Sequence, residues 1–383
     1  MKLPKIYYVA NAKMPTDKAH GIQLIKMCEA FLRHGADVEL ILPGRKATRV
    51  SEIKNFYGVD RIPARTVFVP DLHNFGRAGF LVSSFFFGLS YFLYLTAKKI
   101  KGENFMVYTA DLDHFSFLPM AFLRVPYFTE IHGEKKKTFL HKLFFRRASG
   151  IIAINKFMKE NLINNFGLPP EKIDVRPNGI DLEKFNANTT RESARKKLSL
   201  PGDVRLVLYV GRLYDWKGFE TLFSAAKALQ KGTQIYFIGG TDEEARQFAG
   251  DRKIPENIIF AGVKSYKEIP LWLAASHALL LLGTSKNTAS YYYTSPMKLF
   301  EYMASNRPII ASATPANKAV VGDAEVFFYE PDDWSGLAAN IHKIFDDPEK
   351  AMEKAARALK KSAEFSWKKR GSAILNFIGN NIE

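Results

Sequence analysis

The residues best suited to chemistry are two cations in one glycine-flanked loop. Residues 210–218 (VGRLYDWKG) directly follow an apolar run and carry Arg212 and, five residues on, Lys217. A diphosphate needs fixed cations of this kind, because its charge must be matched where water is being excluded. The spacing therefore predicts a diphosphate site at the carboxyl end of a strand.

A second segment, residues 294–304 (TSPMKLFEYMA), predicts a helix that begins at Ser-Pro and carries Glu301 about one and a half turns in. The N-terminus of a helix offers free N–H groups to phosphate. A glutamate one turn further on can accept hydrogen bonds from ribose hydroxyls. Together, the two segments indicate a site for a sugar nucleotide.

Strands alternate with helices along both halves of the chain, and this order has to position those segments. Apolar runs predict strands at 5–10, 37–42, 105–109, 127–131, 151–154 and 174–176, and then at 204–210, 234–238, 258–261, 278–282 and 308–311. The pattern indicates an α/β protein with two doubly wound, Rossmann-like domains facing each other. Because ligands bind beyond the carboxyl ends of parallel strands, the cleft between the domains is the expected site.

The length of 383 residues is too great for one ordinary core. We place an N-terminal domain at residues 1–188, a C-terminal domain at 189–365 and a last helix at 366–383. The formal charge of +16 is concentrated in the first domain, which has 28 Lys and Arg against 17 Asp and Glu. Such a surface attracts anionic lipid or phosphorylated substrates, and no nucleic-acid motif accompanies it, so we expect no nucleic-acid partner.

Residues 78–97 (AGFLVSSFFFGLSYFLYLTA) carry no charge over a length that could span a bilayer. A single span would split the continuous α/β pattern, which argues against that interpretation. Two others stay open: a helix buried on one side against its domain, and an apolar helix with basic flanks that rests on a membrane. The lone cysteine and a chain start that runs directly into a strand predict a reducing, cytoplasmic location.

These motifs resemble the retaining glycosyltransferases of family 4, which have the two-domain GT-B fold. The resemblance covers essentially the whole chain. It includes the two segments above and five more in the family's order: residues 19–30 (AHGIQLIKMCEA), 108–112 (YTADL), 130–133 (EIHG), 177–181 (PNGID) and 365–367 (FSW). The last of these resembles the start of a helix that crosses back to the first domain in such proteins.

The resemblance implies catalytic roles for three residues. Arg212 and Lys217 would hold the donor diphosphate and stabilise the charge that develops as it leaves. His132 would lie near the transferred sugar. The donor-binding candidates are Gly21, Val263, Ser295, Met297, Lys298, Leu299 and Glu301, and those on the acceptor and sugar side are His20, Asp111 and Tyr293.

Individual matches have structural alternatives. His132 follows an apolar run, so a hydrogen-bonded core histidine competes with an active-site role. Gly21, which would let a loop approach the diphosphate and sugar, could equally serve only to start a helix. Residues 111–113 (DLD) resemble the metal-binding Asp-x-Asp of the other glycosyltransferase fold, but that fold has one domain. We therefore expect no metal site.

The chain also departs from the family pattern. Many relatives carry a glutamate eight residues before the one that matches Glu301, and here Tyr293 stands there. Ala110 occupies a position where similar segments often have arginine. These departures leave the donor sugar open, and they favour an alternative, a non-catalytic protein that binds nucleotide sugars.

The resemblance implies a metal-independent transfer from a nucleoside diphosphate sugar of UDP or GDP type, with retention at the anomeric carbon. We expect no resident cofactor, since the nucleotide sugar is a co-substrate. The basic first domain and residues 78–97 suggest a lipid-linked or other saccharide acceptor in cell-surface glycan synthesis. Peripheral contact with an anionic membrane on its cytoplasmic face follows as an expectation.

Overall fold

The computed structural model describes residues 3–46, 48–60, 62–72, 75–111, 116, 118–186, 189–250 and 253–382. The chain forms two compact units: a first unit of Met1–Asn178 and Trp367–Glu383, and a second unit of Gly179–Ser366. The chain thus leaves the first unit after Asn178 and returns to it at Trp367. The boundaries predicted above were after residues 188 and 365.

The strands follow the apolar runs of the sequence. In chain order they are β1 Lys5–Val9, β2 Val38–Gly44, β3 Ala64–Phe68, β4 Phe105–Ala110, β5 Tyr127–Ile131, β6 Gly150–Ala153, β7 Ile173–Val175, β8 Arg205–Val210, β9 Thr233–Ile238, β10 Ile258–Gly262, β11 Ala278–Leu281, β12 Ile309–Ser312 and β13 Phe327–Tyr329.

Helices occupy most of the connections between strands. They are α1 Ala19–Arg33, α2 Ile53–Tyr57, α3 Gly76–Ile100, α4 Phe139–Arg147, α5 Lys156–Phe166, α6 Leu182–Phe185, α7 Arg191–Lys197, α8 Phe219–Lys227, α9 Asp242–Ala249, α10 Ile269–Ala275, α11 Thr288–Tyr291, α12 Met297–Ala304, α13 Pro315–Lys318, α14 Trp334–Asp346, α15 Pro348–Ser362 and α16 Trp367–Asn380.

Each unit is built on one parallel sheet. Over the described residues, the first unit has seven strands in the order β3-β2-β1-β4-β5-β6-β7, and the second has six in the order β10-β9-β8-β11-β12-β13. In both sheets the order reverses beside the first strand of the unit, β1 or β8. Ligands of open parallel sheets bind at this switch point, beyond the strand carboxyl ends.

Side-chain alternation along β8 shows how the second unit is packed. Leu206 and Leu208 contribute to one buried apolar cluster, and Val207 and Tyr209 contribute to another. Because successive side chains of a strand point to opposite faces, the sheet carries a core on both faces, as a doubly wound fold requires. The expected α/β fold class is thus confirmed in both units.

The two strands that the sequence pattern did not predict, β3 and β13, are both edge strands. β3 (ARTVF) is largely exposed, and β13 (FFY) has only three residues. An edge strand is covered on fewer sides, so it needs fewer apolar residues and gives a weaker periodic signal.

Helix α3 contains the uncharged segment and packs on β3 and on residues 118–122. Its buried face is mostly small or polar, with Gly79, Ser83, Ser84 and Gly88 beside Phe87, Tyr91 and Leu95. Its exposed face is apolar, with Phe80, Leu81, Val82, Phe85, Phe86, Leu89 and Leu93 all at least 36% exposed. The distribution is the reverse of that in an ordinary surface helix, whose large apolar residues face inward.

Candidate active site

The loop after β8 brings a lysine from α12 against its backbone. A Cβ atom added to Gly211 would lie 2.7 Å from both the Lys298 Nζ and the Tyr209 hydroxyl. The φ of Gly211 is 156°. The φ of Gly211 is one that other residues rarely adopt, and the ammonium of Lys298 lies directly beside the segment that carries Arg212.

Helix α12 is tied to the same strand end. The Val210 N–H donates to the Tyr302 hydroxyl over 3.0 Å, and Tyr302 is fully buried. Leu299 is also fully buried in the core beneath the helix. This packing fixes the first turn of α12 at the carboxyl end of β8, where Lys298 and Glu301 are held.

Arg212 is exposed, whereas Lys217 is partly buried in a short 3₁₀ turn, Asp215–Lys217. The Nζ of Lys217 lies 3.9 Å from the centroid of the Trp216 ring. Burial, together with the like charge of Lys298, lowers the pKa of Lys217 to about 7. The charged form of Lys217 is therefore destabilised, and a bound anion would stabilise it.

Lys298 shares this condition. Burial lowers its pKa, and the nearby carboxylate of Glu301 opposes that shift only in part. Across the described residues, neither Lys217 nor Lys298 forms a direct ion pair. Two neighbouring cations at a strand's carboxyl end supply the charge that a doubly charged group such as a diphosphate requires.

Glu301 is buried in α12. Burial raises its pKa to about 7, while Lys298, Tyr266 and Lys184 oppose that rise. The Tyr266 hydroxyl is buried beside the Glu301 carboxylate and interacts with it. The Nζ of Lys184 lies 3.7 Å from the Tyr266 ring centroid.

Lys184 and Tyr266 were not anticipated from the sequence. Lys184 lies three residues beyond residues 177–181 (PNGID), and Tyr266 follows the turn at Gly262 and Val263. The sequence did contain a signal for Lys184, because a lysine soon after that turn motif can lie near the carboxyl ends of the strands. Tyr266 had no such signal, because its neighbourhood is set by α12, which is distant in sequence.

The remaining donor-side candidates are placed as follows. Ser295 and Met297 are buried at the start of α12. The Leu299 N–H is not available to phosphate, because it donates to the Pro296 carbonyl over 2.9 Å. The first-turn amides of Met297 and Lys298 have no acceptor within the helix, as at any helix start.

Two further candidates lie in loops of the second unit. Val263 is 57% exposed, in a turn where Gly262 has a φ of 74°. The Tyr293 N–H donates to the Ala289 carbonyl over 3.1 Å, and the ring packs near that of Tyr292.

In the first unit, His132 is joined to a buried carboxylate. The Nε2 of His132 lies 2.7 Å from Oε1 of Glu130, which is fully buried on β5. Arg370 of α16 forms a buried ion pair with the same carboxylate. His132 is thus partly buried, with 22% of its side chain exposed.

Asp111 and His20 lie beside His132. Oδ1 of Asp111 accepts from the Lys135 Nζ over 2.5 Å and from the His132 N–H over 3.4 Å. Desolvation lowers the pKa of His20, and the nearby Lys18 and His132 contribute. The structure therefore brings His20, Asp111 and His132 together, while Leu112 and Asp113 lie outside the described residues.

Gly21 has a packing reason to be glycine. A Cβ atom at this position would contact Thr16 and would lie 2.7 Å from the Tyr57 hydroxyl. The residue is buried in α1. Its α-carbon thus faces Thr16 and Tyr57, and this packing explains a glycine here without a ligand.

The predicted residues therefore form two groups in separate units. The first unit holds His20, Gly21, Asp111 and His132, and the second holds Arg212, Lys217, Val263, Tyr293, Ser295, Met297, Lys298, Leu299 and Glu301.

Family models match both units. Residues 21–184 match the model of glycosyltransferase family 4, and residues 190–363 match that of the glycosyl transferases group 1. The chain belongs to glycosyltransferase family 4.

Curated relatives of this family 4 glycosyltransferase include D-inositol 3-phosphate glycosyltransferase 1 of Catenulispora acidiphila. It is 25% identical over 251 residues, which cover 62% of this chain and 58% of the relative. The putative teichuronic acid biosynthesis glycosyltransferase TuaC of Bacillus subtilis is 28% identical over 228 residues, covering 57% and 54%. The chain thus spans a little over half the length of the curated relatives it matches.

Solved structures share the fold over nearly the whole chain. Anabaena HepE in complex with UDP and glucose has a TM-score of 0.74 at 19% identity, covering 98% of this chain and 100% of that one. A glycosyltransferase from Rickettsia africae has a TM-score of 0.76 at 17% identity, covering 99% of both chains. At such identities the likeness shows the GT-B fold alone.

Two further properties of this family 4 member concern metals and membranes. In the ranges that the structure describes, no group of three or more His, Cys, Asp or Glu side chains is placed to hold a metal ion. Within the same ranges, α3 is the one helix long and apolar enough to cross a bilayer, and 39% of its most apolar window is buried.

Proposed function

We propose that this protein transfers a sugar from a nucleoside diphosphate sugar, with retention at the anomeric carbon and without a metal ion. The observation that carries the proposal is the pair of partly buried cations at the carboxyl end of β8, Lys217 and Lys298, neither of which forms a direct ion pair with a described residue. The Glu301 carboxylate offsets the burial of Lys298 only in part, so a bound anion would stabilise both charges. Arg212 precedes Lys217 in the same loop and adds a third cation.

These cations would act mainly on the transition state. As the bond to the sugar breaks, negative charge builds on the diphosphate, and ammonium groups held in a partly desolvated loop stabilise that charge. They take the place that a divalent metal occupies in other phosphate chemistry. Glu301 would accept from the ribose hydroxyls, and the base would lie near the backbone of Val263.

Retention is suggested by the family, and the carboxylates near His132 bear on the route by which it would occur. Glu130 is held by Arg370 and Asp111 by Lys135, so both are occupied by ion pairs. Neither is free to attack the anomeric carbon. A front-face displacement assisted by the leaving diphosphate is therefore the route we favour, with His132, His20 and Asp111 on the sugar and acceptor side.

The donor is expected to be a UDP- or GDP-sugar, and the UDP complexes of HepE favour UDP. The test is to incubate the full chain with a panel of radiolabelled UDP- and GDP-sugars and saccharide or lipid-linked acceptors. Transfer with the donor's anomeric configuration retained in the product supports the proposal. Donor binding without transfer or hydrolysis supports a non-catalytic nucleotide-sugar-binding protein, the alternative favoured by Tyr293 and Ala110.

The acceptor is proposed to be membrane-associated, in cell-surface glycan synthesis at the cytoplasmic face of a membrane. The support is the reversed distribution on α3, whose exposed face is apolar while its last turn and C-cap carry Lys98, Lys99 and Lys101. Apolar side chains enter the lipid interface while lysines meet anionic headgroups.

Vesicle sedimentation tests this part separately. A Phe85→Glu, Leu89→Glu variant alters two exposed residues of α3, and its binding to anionic vesicles should fall by on the order of a hundredfold. Phe87 is unsuitable for this purpose, because it is fully buried. A matched control is Trp334→Glu, Met352→Glu, which alters two exposed apolar residues of the second unit. Equal sedimentation of both folded variants would contradict membrane contact through α3.

A further inference from the structure

The buried carboxylate of Glu130 gathers donors from four elements of the first unit. Its Oε1 accepts from Gln23 of α1 over 3.0 Å and lies 2.7 Å from the His132 Nε2. Its Oε2 accepts from the Tyr108 hydroxyl of β4 over 2.7 Å and from Arg370 Nη1 over 3.3 Å. A second Arg370 nitrogen donates to Oε1.

Such an environment keeps Glu130 ionised. Burial alone would raise its pKa, but Arg370 and His132 hold it well below the ordinary value. An ionised carboxylate has no proton and can only accept hydrogen bonds. The contact with His132 is therefore possible only if the Nε2 of the imidazole carries the proton and donates it.

Arg370 is more than a counter-ion, because it is itself fixed by the chain. It donates to the carbonyls of Pro177 over 2.7 Å and of Arg176 over 3.2 Å, and it is 5% exposed. These carbonyls lie just before the chain leaves the first unit, and Arg370 lies just after the chain returns. The guanidinium therefore has little freedom to move away from Glu130.

We propose that Glu130, clamped by Arg370, is a positioning residue that fixes His132 as its Nε2–H tautomer and leaves Nδ1 as the ring atom available to a sugar hydroxyl. The proton on Nε2 follows from the contacts alone, and the tautomer is that of the neutral ring, whereas the sugar contact rests on the proposed function. In histidine generally, the hydrogen bond made by one ring nitrogen decides which of the two nitrogens carries the proton.

The first experiment needs no variant of Glu130. The full chain, labelled with ¹⁵N in its eight histidines, is examined by NMR at alkaline pH, with His132 assigned by loss of its signals in His132→Gln. We expect a protonated Nε2 and an unprotonated Nδ1. A protonated Nδ1 with an unprotonated Nε2 would overturn the proposal, whatever the activity of the protein.

The second experiment separates positioning from stability. Glu130→Gln removes the negative charge at nearly constant shape. Arg370→Lys keeps the positive charge but loses the contact of two guanidinium nitrogens with the carboxylate. We expect kcat for sugar transfer to fall on the order of 10²-fold in Glu130→Gln and less in Arg370→Lys, with the donor Kd unchanged in both. The His132 ¹⁵N signals should shift to a mixture of tautomers in Glu130→Gln.

The matched control is Tyr127→Phe, on the same strand as Glu130. It removes a buried hydrogen bond to the Phe144 carbonyl without touching the His132 contacts. It should leave the His132 signals and kcat unchanged at comparable loss of stability. An unchanged tautomer and kcat in folded Glu130→Gln would refute positioning, whereas an Nε2–H tautomer without any sugar transfer supports it and counts against the proposed function alone.

Discussion

Two clusters of buried charge in this protein differ in one respect. In the second unit, Lys217 and Lys298 lie close together and neither forms a direct ion pair with a described residue, whereas in the first unit Glu130 is matched by Arg370 and by three other donors. A buried unpaired charge costs stability, and a buried paired charge is strongly coupled to its partner. We interpret the lysine pair as a site for an anionic ligand, and the Glu130 cluster as a support for neighbouring residues.

Breaking the paired cluster should have the largest effect on stability. Arg370→Met leaves the Glu130 carboxylate buried without its counter-ion, so the free energy of unfolding should fall by about 3–5 kcal/mol. Lys368→Met, an exposed position on the same helix, is the control and should change little. Urea denaturation followed by circular dichroism measures both. A loss below about 1 kcal/mol in Arg370→Met would mean that the ion pair does not hold the unit together.

Neutralising Lys217 should lower activity without lowering stability. Lys217→Met is expected to lower kcat/KM for sugar transfer by about 10²–10³-fold, because a cation that stabilises the leaving diphosphate is lost. Its stability should be equal to that of the wild type or higher, since a buried charge is removed. The control is Lys227→Met, exposed on α8. Full activity in Lys217→Met would disprove the diphosphate site.

Glu301 is a buried carboxylate beside Lys298, and its contribution to stability depends on pH. Its folded-state pKa is raised from 4.5 to about 7. The folded state therefore prefers the protonated form, so its contribution to stability is full below pH 4.5 and is lost as pH rises through 7. We expect wild type to lose about 2 kcal/mol more than Glu301→Gln between pH 5 and pH 7. Parallel stability curves for the two proteins would show that neighbouring cations already offset the burial.

Much of this arrangement could be predicted from local patterns. The apolar run of β8, the loop with Arg212 and Lys217, and the Ser-Pro start of α12 all lie within short segments, and short segments carry periodic and turn signals. Residues 130–133 were likewise recognisable, so His132 was a candidate. The fold class followed from the repeated order of strands and helices.

The partners of those residues could not be predicted in the same way. Glu130 and Arg370 are 240 residues apart, and no periodicity connects them. Leu299 was a donor-binding candidate, but its N–H donates to the Pro296 carbonyl. Tyr266 reaches Glu301 only through tertiary packing. In each case the contact depends on where another element lies, which local spacing does not encode.

Donor affinity should depend on pH in the direction set by the lysines. Burial and Lys298 lower the pKa of Lys217 to about 7, and a bound diphosphate would raise it again. Above pH 7 the free protein must take up a proton on binding, so the Kd for UDP or GDP should rise by up to about tenfold per pH unit. Calorimetry in buffers of different ionisation enthalpy measures the proton uptake directly. Lys217→Met should remove most of this dependence, and a wild-type Kd that is flat from pH 7 to 9 would show that Lys217 is already charged in the free protein.

The smallest expected effect concerns Gly21, where packing and ligand contact make different predictions. A Cβ atom there meets the Thr16 side chain, the Tyr57 hydroxyl and, at 3.2 Å, the Thr16 carbonyl oxygen. Gly21→Ala should therefore lower the free energy of unfolding by about 1–2 kcal/mol through overpacking and leave the donor Kd unchanged. Gly202→Ala, where the added atom meets nothing within 4 Å, is the control. If Gly21→Ala instead weakens donor binding at unchanged stability, the glycine serves the ligand and not only the packing of α1.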